Sequence, residues 1–164
     1  MNVVAIETLT KNNLLNFFTT HWGSPQMVIS SGVYDCSTLD GFAVLNDEQR
    51  IMGLITYIIV ENECEIISLD SLDEGKGIGT CLVKKVESLA VNRNCKRLKL
   101  ITTNDNLLAL KFYQKRGFVL AKLFPNAVEK ARQIKPEIPY VGNDGIPIRD
   151  ELELCKDLEG GECR

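Results

Sequence analysis

Residues 73–89 read DEGKGIGTCLVKKVESL and place Gly75, Gly77 and Gly79 directly before a segment with helical periodicity. A glycine inside a helix costs about 1 kcal/mol relative to alanine, so three of them weaken a helix start unless the bare backbone has a use. A loop that needs one positive φ angle requires only one glycine. The alternative is a phosphate cradle, in which free N–H groups meet the positive end of the helix. Hydrogen bonds to a charged group contribute about 1.5–3 kcal/mol each, so the amides would dominate such a site.

Two nucleotide-binding motifs do not fit these glycines. The P-loop pattern G-x-x-x-x-G-K-[ST] is absent from the sequence. The dinucleotide pattern G-x-G-x-x-G requires a sixth-position glycine, where the sequence has Thr80 counted from Gly75 and Leu82 counted from Gly77. The glycines therefore indicate a phosphate ligand of another kind.

Length, composition and charge limit the class of protein. The chain has 164 residues, of which 45% are hydrophobic, so we expect a single domain over residues 1–158 and a frayed tail at 159–164. The formal net charge is −3 and the basic residues are scattered, which argues against a nucleic-acid partner. The sequence contains no run of 18 apolar residues and no signal-peptide pattern, so we expect a cytoplasmic protein with no membrane partner.

The cysteines and the histidine make a metal centre unexpected. The six cysteines form no C-x-x-C pair, and we expect them to be free thiols. Cys64 and Cys81 lie in apolar-patterned segments, where a reduced thiol behaves as a small hydrophobic group. His21 is the only histidine of the sequence, so we expect no metal cluster and no catalytic triad based on histidine.

Hydrophobic periodicity predicts the order of the secondary-structure elements. Thr10 is expected to cap a short helix that ends at the glycine and proline of HWGSP. The strands are expected near residues 3–7, 40–46, 51–60, 63–70, 97–103, 118–124 and 151–158, and the remaining helices at 78–92, 104–118 and 126–134. Short polar links favour antiparallel hairpins between the strands of residues 40–70, whereas a helix between two strands indicates a parallel crossover. The chain is therefore expected to form a mixed sheet with helices on its faces.

Two segments together resemble the GNAT superfamily of acyl-CoA-dependent N-acetyltransferases. The run from Glu74 to Gly79 is similar to the family's [QR]-x-x-G-x-[GA], which follows a strand and opens a helix. The run from Asn106 to Phe118 is similar to the family's N-x-x-A-x-x-x-Y segment and the glycine and phenylalanine that follow it. This resemblance covers most of the chain and is firmest for residues 63–118. It implies an α/β (α+β) fold with a mixed, mostly antiparallel central sheet of six to seven strands flanked by helices.

The resemblance also implies acetyl-CoA as the acyl-donor cosubstrate and an amine as the acceptor. The residues expected to bind the cofactor are Leu69, Asp70, Ser71, Glu74, Gly75, Lys76, Gly77, Ile78, Gly79, Thr80, Asn104, Asn106, Ala109, Phe112 and Tyr113. Tyr113 stands at the position of the general acid, and a core tyrosine on a helix face is the competing interpretation. Asn106 is either a ligand of the pantetheine arm, the N-cap of its helix, or both. Glu74 departs from the usual Gln or Arg, and we expect its side chain to point to solvent, with Lys76 either offsetting its charge or solvated.

The catalytic base and the acceptor site are less defined by sequence. Glu61, Glu63 and Glu65 alternate along one strand and are expected to share a face with Ile67 and Leu69; Glu63 and Glu65 are candidate bases, and solvated edge carboxylates are the competing interpretation. Backbone donors near Asp70 and Ser71 are expected to bind the thioester carbonyl where the strand separates from its neighbour. Acceptor-site candidates are His21, Trp22, Tyr34, Asp35 and Glu137.

Three functions follow from these patterns. The first is an active N-acetyltransferase acting on a small molecule or a protein, with a homodimer as a possible assembly. The second is a CoA-binding module without catalysis, which needs the cradle but neither Tyr113 nor a base. The third, a nucleotide-binding protein, is disfavoured because both nucleotide motifs fail.

Overall fold

A computed structural model describes residues 1–158, and the frayed tail predicted for 159–164 lies outside the described residues. The strands are β1 (Asn2–Ala5), β2 (Gln26–Ile29), β3 (Gly32–Asp35), β4 (Asp40–Leu45), β5 (Ile51–Val60), β6 (Glu63–Ser71), β7 (Arg97–Thr103), β8 (Val119–Phe124) and β9 (Glu151–Asp157). The helices are α1 (Lys11–Trp22), α2 (Ile78–Asn92), α3 (Leu107–Gln114) and α4 (Ala127–Ile134).

Seven of the strands form one sheet in the order β1-β4-β5-β6-β7-β9-β8. Only β6 and β7 pair in parallel, across the α2 crossover, and the other neighbours in this sheet are antiparallel. The expected mixed, mostly antiparallel sheet is thereby confirmed. Strand β9 lies between β7 and β8, so these two strands run in the same direction without being neighbours.

The two faces of the sheet carry separate hydrophobic clusters. Helix α2 packs on one face through Ile78, Leu82 and Val86, which contact side chains of β4 to β7. Helix α1 covers the other face through Leu14, Phe17 and Phe18. Because each helix has an apolar stripe with steps of three and four residues, it buries one side and leaves the other to water.

Helix α1 begins and ends where the sequence predicts. The Thr10 side chain accepts a hydrogen bond from the Asn13 amide, which satisfies one free donor of the first turn. Gly23 closes the helix in the left-handed conformation with φ 82°. The sequence did not predict the next feature, a hairpin in which β2 pairs with β3, because its strands are only four residues long and carry no clear alternation.

A β-bulge in β6 corrects the predicted face of that strand. Thr56 of β5 pairs with Ser68 and Tyr57 pairs with Ile66, so Ile67 is an extra residue. The bulge reverses the alternation, and Leu69 therefore packs against the α2-side cluster rather than sharing a face with Glu65 and Ile67. Glu61 is also outside the predicted alternation, because it lies in the turn before β6 with φ 56°.

Five of the cysteines lie within the described residues, and one of them is disulfide-bonded. Cys36, Cys64, Cys81 and Cys95 are free thiols. Cys155 is disulfide-bonded, so the prediction of free thiols is wrong at that residue. Burial raises the pKa of the Cys64 thiol to about 12 and that of Cys36 to about 11. No helix within residues 1–158 has the length and apolar character needed to cross a membrane.

Candidate active site

A cleft opens where β6 and β7 separate. Their parallel pairing runs from Glu63 with Arg97 to Ile66 with Leu100 and stops at the bulge. Beyond it β6 stays paired with β5, and β7 stays paired with β9. One edge of Leu69–Ser71 therefore has no strand partner, which leaves backbone donors and acceptors along a cleft of about 800 Å³.

The glycine loop forms one end of this cleft. Gly75 and Gly77 have φ angles of 80° and 77°, a conformation that favours glycine, and Gly77 is the N-cap of α2. The first amide of the helix with an acceptor is that of Cys81, which donates to the Gly77 carbonyl. Within residues 1–158, no protein group accepts a hydrogen bond from the amides of residues 75–80. These amides are therefore available to an anion.

Most of the predicted cofactor-binding residues meet at the cleft. Its walls include Leu69, Asp70, Ser71, Glu74, Gly75, Gly77, Ile78, Gly79, Thr80, Asn106, Ala109, Phe112 and Tyr113. Asn106 is the N-cap of α3, and its side-chain oxygen accepts a hydrogen bond of 3.2 Å from the Ala109 amide. The cap role is thus present, and the side-chain amide N–H of Asn106 is left available to a ligand.

Two predicted cofactor residues do not line the cleft. Lys76 is exposed and forms an ion pair of 3.0 Å with Asp73 instead of offsetting Glu74, whose side chain is exposed as expected. The Asn104 side chain organises the segment before β9, since its oxygen accepts the amides of Arg149 and Asp150 and its nitrogen donates to the Pro147 carbonyl.

Tyr113 is buried on the α3 side of the cleft. Its ring contacts Phe112 and Phe118 edge to face, with centroids 5.0 and 5.3 Å away. Its hydroxyl has no hydrogen-bond partner among residues 1–158. Burial raises the pKa of Tyr113, and the nearby charge of Asp70 raises it further, so the phenol stays protonated at neutral pH.

Asp70, near the end of β6, lines the same cleft as Tyr113. The Trp22 indole N–H donates a 3.0 Å hydrogen bond to Asp70 Oδ1, which joins α1 to the cleft. Asp70 Oδ2 is buried without a hydrogen-bond partner among the described residues. Burial raises the pKa of the Asp70 carboxyl, while the Trp22 hydrogen bond and the charge of His21 oppose that rise.

Arg116 is the residue that the sequence reasoning missed. Its guanidinium stacks on the Phe112 ring at 3.6 Å, donates to the Phe112 carbonyl at 2.8 Å and donates to Thr80 Oγ1 from two nitrogens. It lines the cleft together with the acidic residues Asp70, Asp73 and Glu74, and no other Lys or Arg of residues 1–158 does so. The signal in the sequence was a basic residue one position before Gly117, which no motif singled out.

The two glutamates predicted as bases lie outside the cleft. Glu63 forms ion pairs with Lys99 at 2.9 Å and Arg97 at 3.4 Å, and the Lys99 hydrogen bond lowers its pKa. Glu65 is 4% exposed and accepts a 2.7 Å hydrogen bond from Ser31 at the tip of the β2–β3 hairpin. Burial raises the pKa of Glu65, but the hairpin covers the carboxyl. Neither carboxyl meets Tyr113.

Of the predicted acceptor residues, the structure places only Trp22 in the cleft wall. His21 is exposed and packs on the Phe17 ring at 4.7 Å. Tyr34 donates a hydrogen bond to Ser31, and Asp35 accepts from the Ser37 amide and hydroxyl as the cap of a 3₁₀ turn. Glu137 is exposed in the segment after α4. In residues 1–158, no three His, Cys, Asp or Glu side chains are grouped to hold a metal ion.

Comparison with known proteins identifies the family. Residues 11–118 match the family described as acetyltransferase (GNAT) family, and the chain belongs to it. The chain is 58% identical to the uncharacterized protein YxbD of Bacillus subtilis strain 168 over 159 residues, covering 97% of this chain and 100% of that protein. It is 35% identical over 91 residues to the uncharacterized N-acetyltransferase MJ1530 of Methanocaldococcus jannaschii, covering 54% of this chain and 58% of that protein.

Solved structures confirm the predicted fold. A GNAT family acetyltransferase from Elizabethkingia anophelis, crystallised with acetyl-CoA bound, aligns with a TM-score of 0.65 and 22% identity over 74% of this chain and 78% of that one. An IAA acetyltransferase from Bacillus cereus aligns with a TM-score of 0.68 and 19% identity over 96% of this chain and 100% of that one. At these identities the likeness concerns the fold.

Proposed function

We propose that the protein is an N-acetyltransferase that moves the acetyl group of acetyl-CoA directly to a primary amine, with Tyr113 as the general acid. The observation that carries this proposal is the opening between β6 and β7, which has the free amides of residues 75–80 at one end and Tyr113 in its wall. Membership of the acetyltransferase family supports the same reaction, and the Elizabethkingia neighbour with acetyl-CoA bound supports the donor.

Charge and hydrogen bonding suit the cleft to a diphosphate. The amides of residues 75–80 stand at the positive end of α2, where an anion is favoured. In this chain Glu74 occupies the position where the family usually has Gln or Arg. Arg116 supplies a positive charge to the cleft instead. The unpaired edge of Leu69–Ser71 offers backbone N–H groups to the thioester carbonyl oxygen.

The reaction needs a proton removed from the acceptor and a hydrogen bond supplied to the departing sulfur. An alkylamine with a pKa near 10.4 is almost wholly protonated at neutral pH, so the acceptor must lose a proton before it can attack. The Tyr113 phenol has no partner among residues 1–158 and can donate to the thiolate as the carbon–sulfur bond breaks. Because its pKa is raised, the phenol regains its proton readily from the amine nitrogen.

The alternative is a CoA-binding module without catalysis. It is favoured by one observation, that neither Glu63 nor Glu65 reaches the cleft. Both functions predict acetyl-CoA binding, and only the acetyltransferase predicts thiol release. The acceptor is a small molecule or a protein amine. The likeness to the Bacillus cereus IAA acetyltransferase concerns the fold and does not choose between them.

The experiment that tests the proposal has two arms. In the first, acetyl-CoA, NAD and ATP are compared for their effect on the melting temperature; a ligand at 100 times its Kd adds about 2.7 kcal/mol to stability. In the second, thiol release from acetyl-CoA is followed with spermidine, kanamycin and a peptide with a free N-terminus. Stabilisation by NAD or ATP but not by acetyl-CoA would overturn the proposal. Binding of acetyl-CoA without thiol release would favour the CoA-binding module.

A further inference from the structure

The cleft contains one carboxylate that a CoA-binding role leaves unexplained. Without the bulge at Ile67, the alternation of β6 would turn the Asp70 side chain to the α2 face of the sheet. With the bulge, Asp70 lies on the α1 face beside Trp22 and still lines the cleft. The irregularity that ends the β6–β7 pairing thus also sets the direction of this carboxyl group.

The two oxygens of Asp70 are in different situations. Oδ1 is fixed by the Trp22 indole at 3.0 Å. Oδ2 is shielded from bulk water and has no donor among residues 1–158. Buried polar atoms in folded proteins nearly always have a hydrogen-bond partner, and an unpartnered carboxylate oxygen is costly. Its surroundings therefore suit a donor that arrives with a ligand.

The charged groups around Asp70 leave its Oδ2 without a cationic partner in the protein, so a cation of the ligand can bind there. On α1 the facing titratable group is His21, on α3 it is Tyr113, and on the 3₁₀ turn at 36–38 it is the Cys36 thiol. Within residues 1–158, no Lys or Arg forms an ion pair with Asp70, and its side chain accepts a hydrogen bond from Trp22 alone. The cation that lines the cleft, Arg116, is engaged with Thr80 and Phe112.

We infer that Asp70 Oδ2 binds the ammonium group of the acceptor and takes its first proton, with Trp22 as a positioning residue that holds the carboxyl in place. This inference rests on the proposed acetyltransferase function and names the base that Glu63 and Glu65 do not supply. Asp70 lines the same cleft as Tyr113, and its partnerless Oδ2 is the oxygen that an N–H donor would satisfy.

Two protons leave the acceptor nitrogen during the transfer. The ammonium gives one proton to Asp70, and the resulting nitrogen lone pair forms the bond to the thioester carbonyl carbon. The carbon–sulfur electron pair leaves with the sulfur, which takes the Tyr113 proton. The nitrogen then gives up a second proton, which restores the phenol, and Asp70 later releases its proton to water. The products are an amide, free CoA thiol and one proton.

Trp22 gives the experiment a built-in reporter. It is the only tryptophan of the sequence and donates to Asp70 directly, so its fluorescence should follow the protonation of that carboxyl. We expect a pH-dependent change in fluorescence that persists in His21→Asn and disappears in Asp70→Asn. The binding probe is propylammonium, titrated against the protein–CoA complex by the same fluorescence signal. We expect Asp70→Asn to weaken it by about tenfold or more, as expected for a lost hydrogen bond between charged groups.

Kinetics distinguish a base from a structural anchor. Asp70→Asn keeps an oxygen for the Trp22 N–H but cannot accept a proton, so we expect kcat/KM with the fastest amine of the panel to fall about 10²–10⁴-fold, with part of the loss recovered at high pH. Trp22→Phe should lower kcat/KM by a smaller factor. It should also move the acid limb of the pH dependence of kcat/KM to higher pH, because the Trp22 hydrogen bond lowers the pKa of Asp70. Asp47→Asn, an exposed turn carboxylate, controls for net charge.

The outcomes separate this inference from the proposed function. Unchanged propylammonium binding in Asp70→Asn overturns the inference, whatever the acceptor. So does a fluorescence transition that follows His21 instead of Asp70, or a kcat/KM of Asp70→Asn close to the wild-type value. The proposed function survives each of these results. It fails if the wild-type protein does not bind acetyl-CoA, or binds it without releasing thiol with any amine of the panel.

Discussion

The guanidinium of Arg116 lies 3.6 Å above the ring of Phe112, and the same guanidinium donates to Thr80 Oγ1 on the first turn of α2. Arginine has five N–H donors, and three of them are used by Thr80 and the Phe112 carbonyl. One N–H remains on each terminal nitrogen. These two donors are available to phosphate oxygens at the end of the cleft where the amides of residues 75–80 are free.

The first prediction concerns these two donors of Arg116. Arg116→Gln is expected to weaken acetyl-CoA binding about tenfold or more, because a hydrogen bond to a charged group contributes about 1.5–3 kcal/mol. The salt dependence of binding should also become less steep. Calorimetric titration at two salt concentrations measures both effects. Lys115→Gln, which removes a neighbouring exposed charge, is the control and should bind normally; equal affinities in the two variants would contradict the role of Arg116.

A second prediction separates the ligand role of Gly79 from its structural role. Gly79 lies inside α2, and a Cβ atom there would stand 3.3 Å from Phe112 Cζ. Gly79→Ala gains helix propensity of about 1 kcal/mol, which the tight contact offsets, so the free energy of unfolding should change by less than about 1 kcal/mol. The family pattern allows alanine at this position, but in this chain the methyl group would press on Phe112, the ring that carries the Arg116 guanidinium. Acetyl-CoA affinity should therefore fall.

The matched control for Gly79 is Ser88→Ala, on the exposed side of the same helix. It should raise stability by a few tenths of a kcal/mol and leave acetyl-CoA binding unchanged. Urea unfolding and calorimetric titration on both variants provide the comparison. If Gly79→Ala bound acetyl-CoA as well as Ser88→Ala, the bare backbone at this position would have no role in binding.

The third prediction concerns the hydroxyl of Tyr113. Because this hydroxyl has no partner among residues 1–158 and lies in a buried environment, Tyr113→Phe should fold with equal or slightly higher stability. Turnover should fall by about 10²–10⁴-fold while acetyl-CoA binding persists, as expected when a general acid is removed. Thiol release under saturating acetyl-CoA is the measurement. Tyr140→Phe, at a 70% exposed tyrosine outside the cleft, is the control.

Sequence periodicity was sufficient for the layers of this fold but not for its cleft. The strands around residues 40–71 and the helix after Gly77 follow from alternation and from steps of three and four. The bulge at Ile67 left no mark in the sequence, because it depends on how β5 and β6 pair rather than on a glycine or proline within β6. For that reason the predicted face of Glu65 was extended to Leu69, and Asp70 was expected to contribute only its backbone.

Long-range contacts account for the other omissions. Glu63 and Glu65 looked like solvated or catalytic carboxylates, but β7 supplies Lys99 to the first and the β2–β3 hairpin supplies Ser31 to the second. Arg116 could not be selected because its partners, Thr80 and Phe112, are brought together only when α2 and α3 meet at the cleft. Local pattern identified the glycine loop, whereas tertiary packing determined which charges surround it.

The last prediction uses two glutamates whose pKa values are shifted in opposite directions. Glu151 is 2% exposed, and its carboxylate accepts from the Ser30 amide at 2.9 Å and from the Ser30 hydroxyl at 2.6 Å. Burial raises its pKa despite these hydrogen bonds, so ionisation of Glu151 opposes folding. Glu63, in contrast, has a lowered pKa because it is hydrogen-bonded to Lys99.

The direction of each pKa shift determines whether the substitution raises or lowers the free energy of unfolding at a given pH. The contribution of Glu151 to stability is fully present below the pKa of the unfolded chain and is lost as the pH rises through the raised pKa of the folded protein. Glu151→Gln should therefore be more stable than the wild type at pH 7. This advantage should disappear as the pH is lowered below about 4. The contribution of Glu63 is present above its unfolded pKa and lost as pH falls, so Glu63→Gln should be less stable at pH 7 by about 0.2–1 kcal/mol and equal to the wild type in acid. Urea unfolding at both pH values measures the two differences. Since both variants remove one negative charge, differences of the same sign at pH 7 would show that net charge, rather than burial and ion pairing, determines the effect.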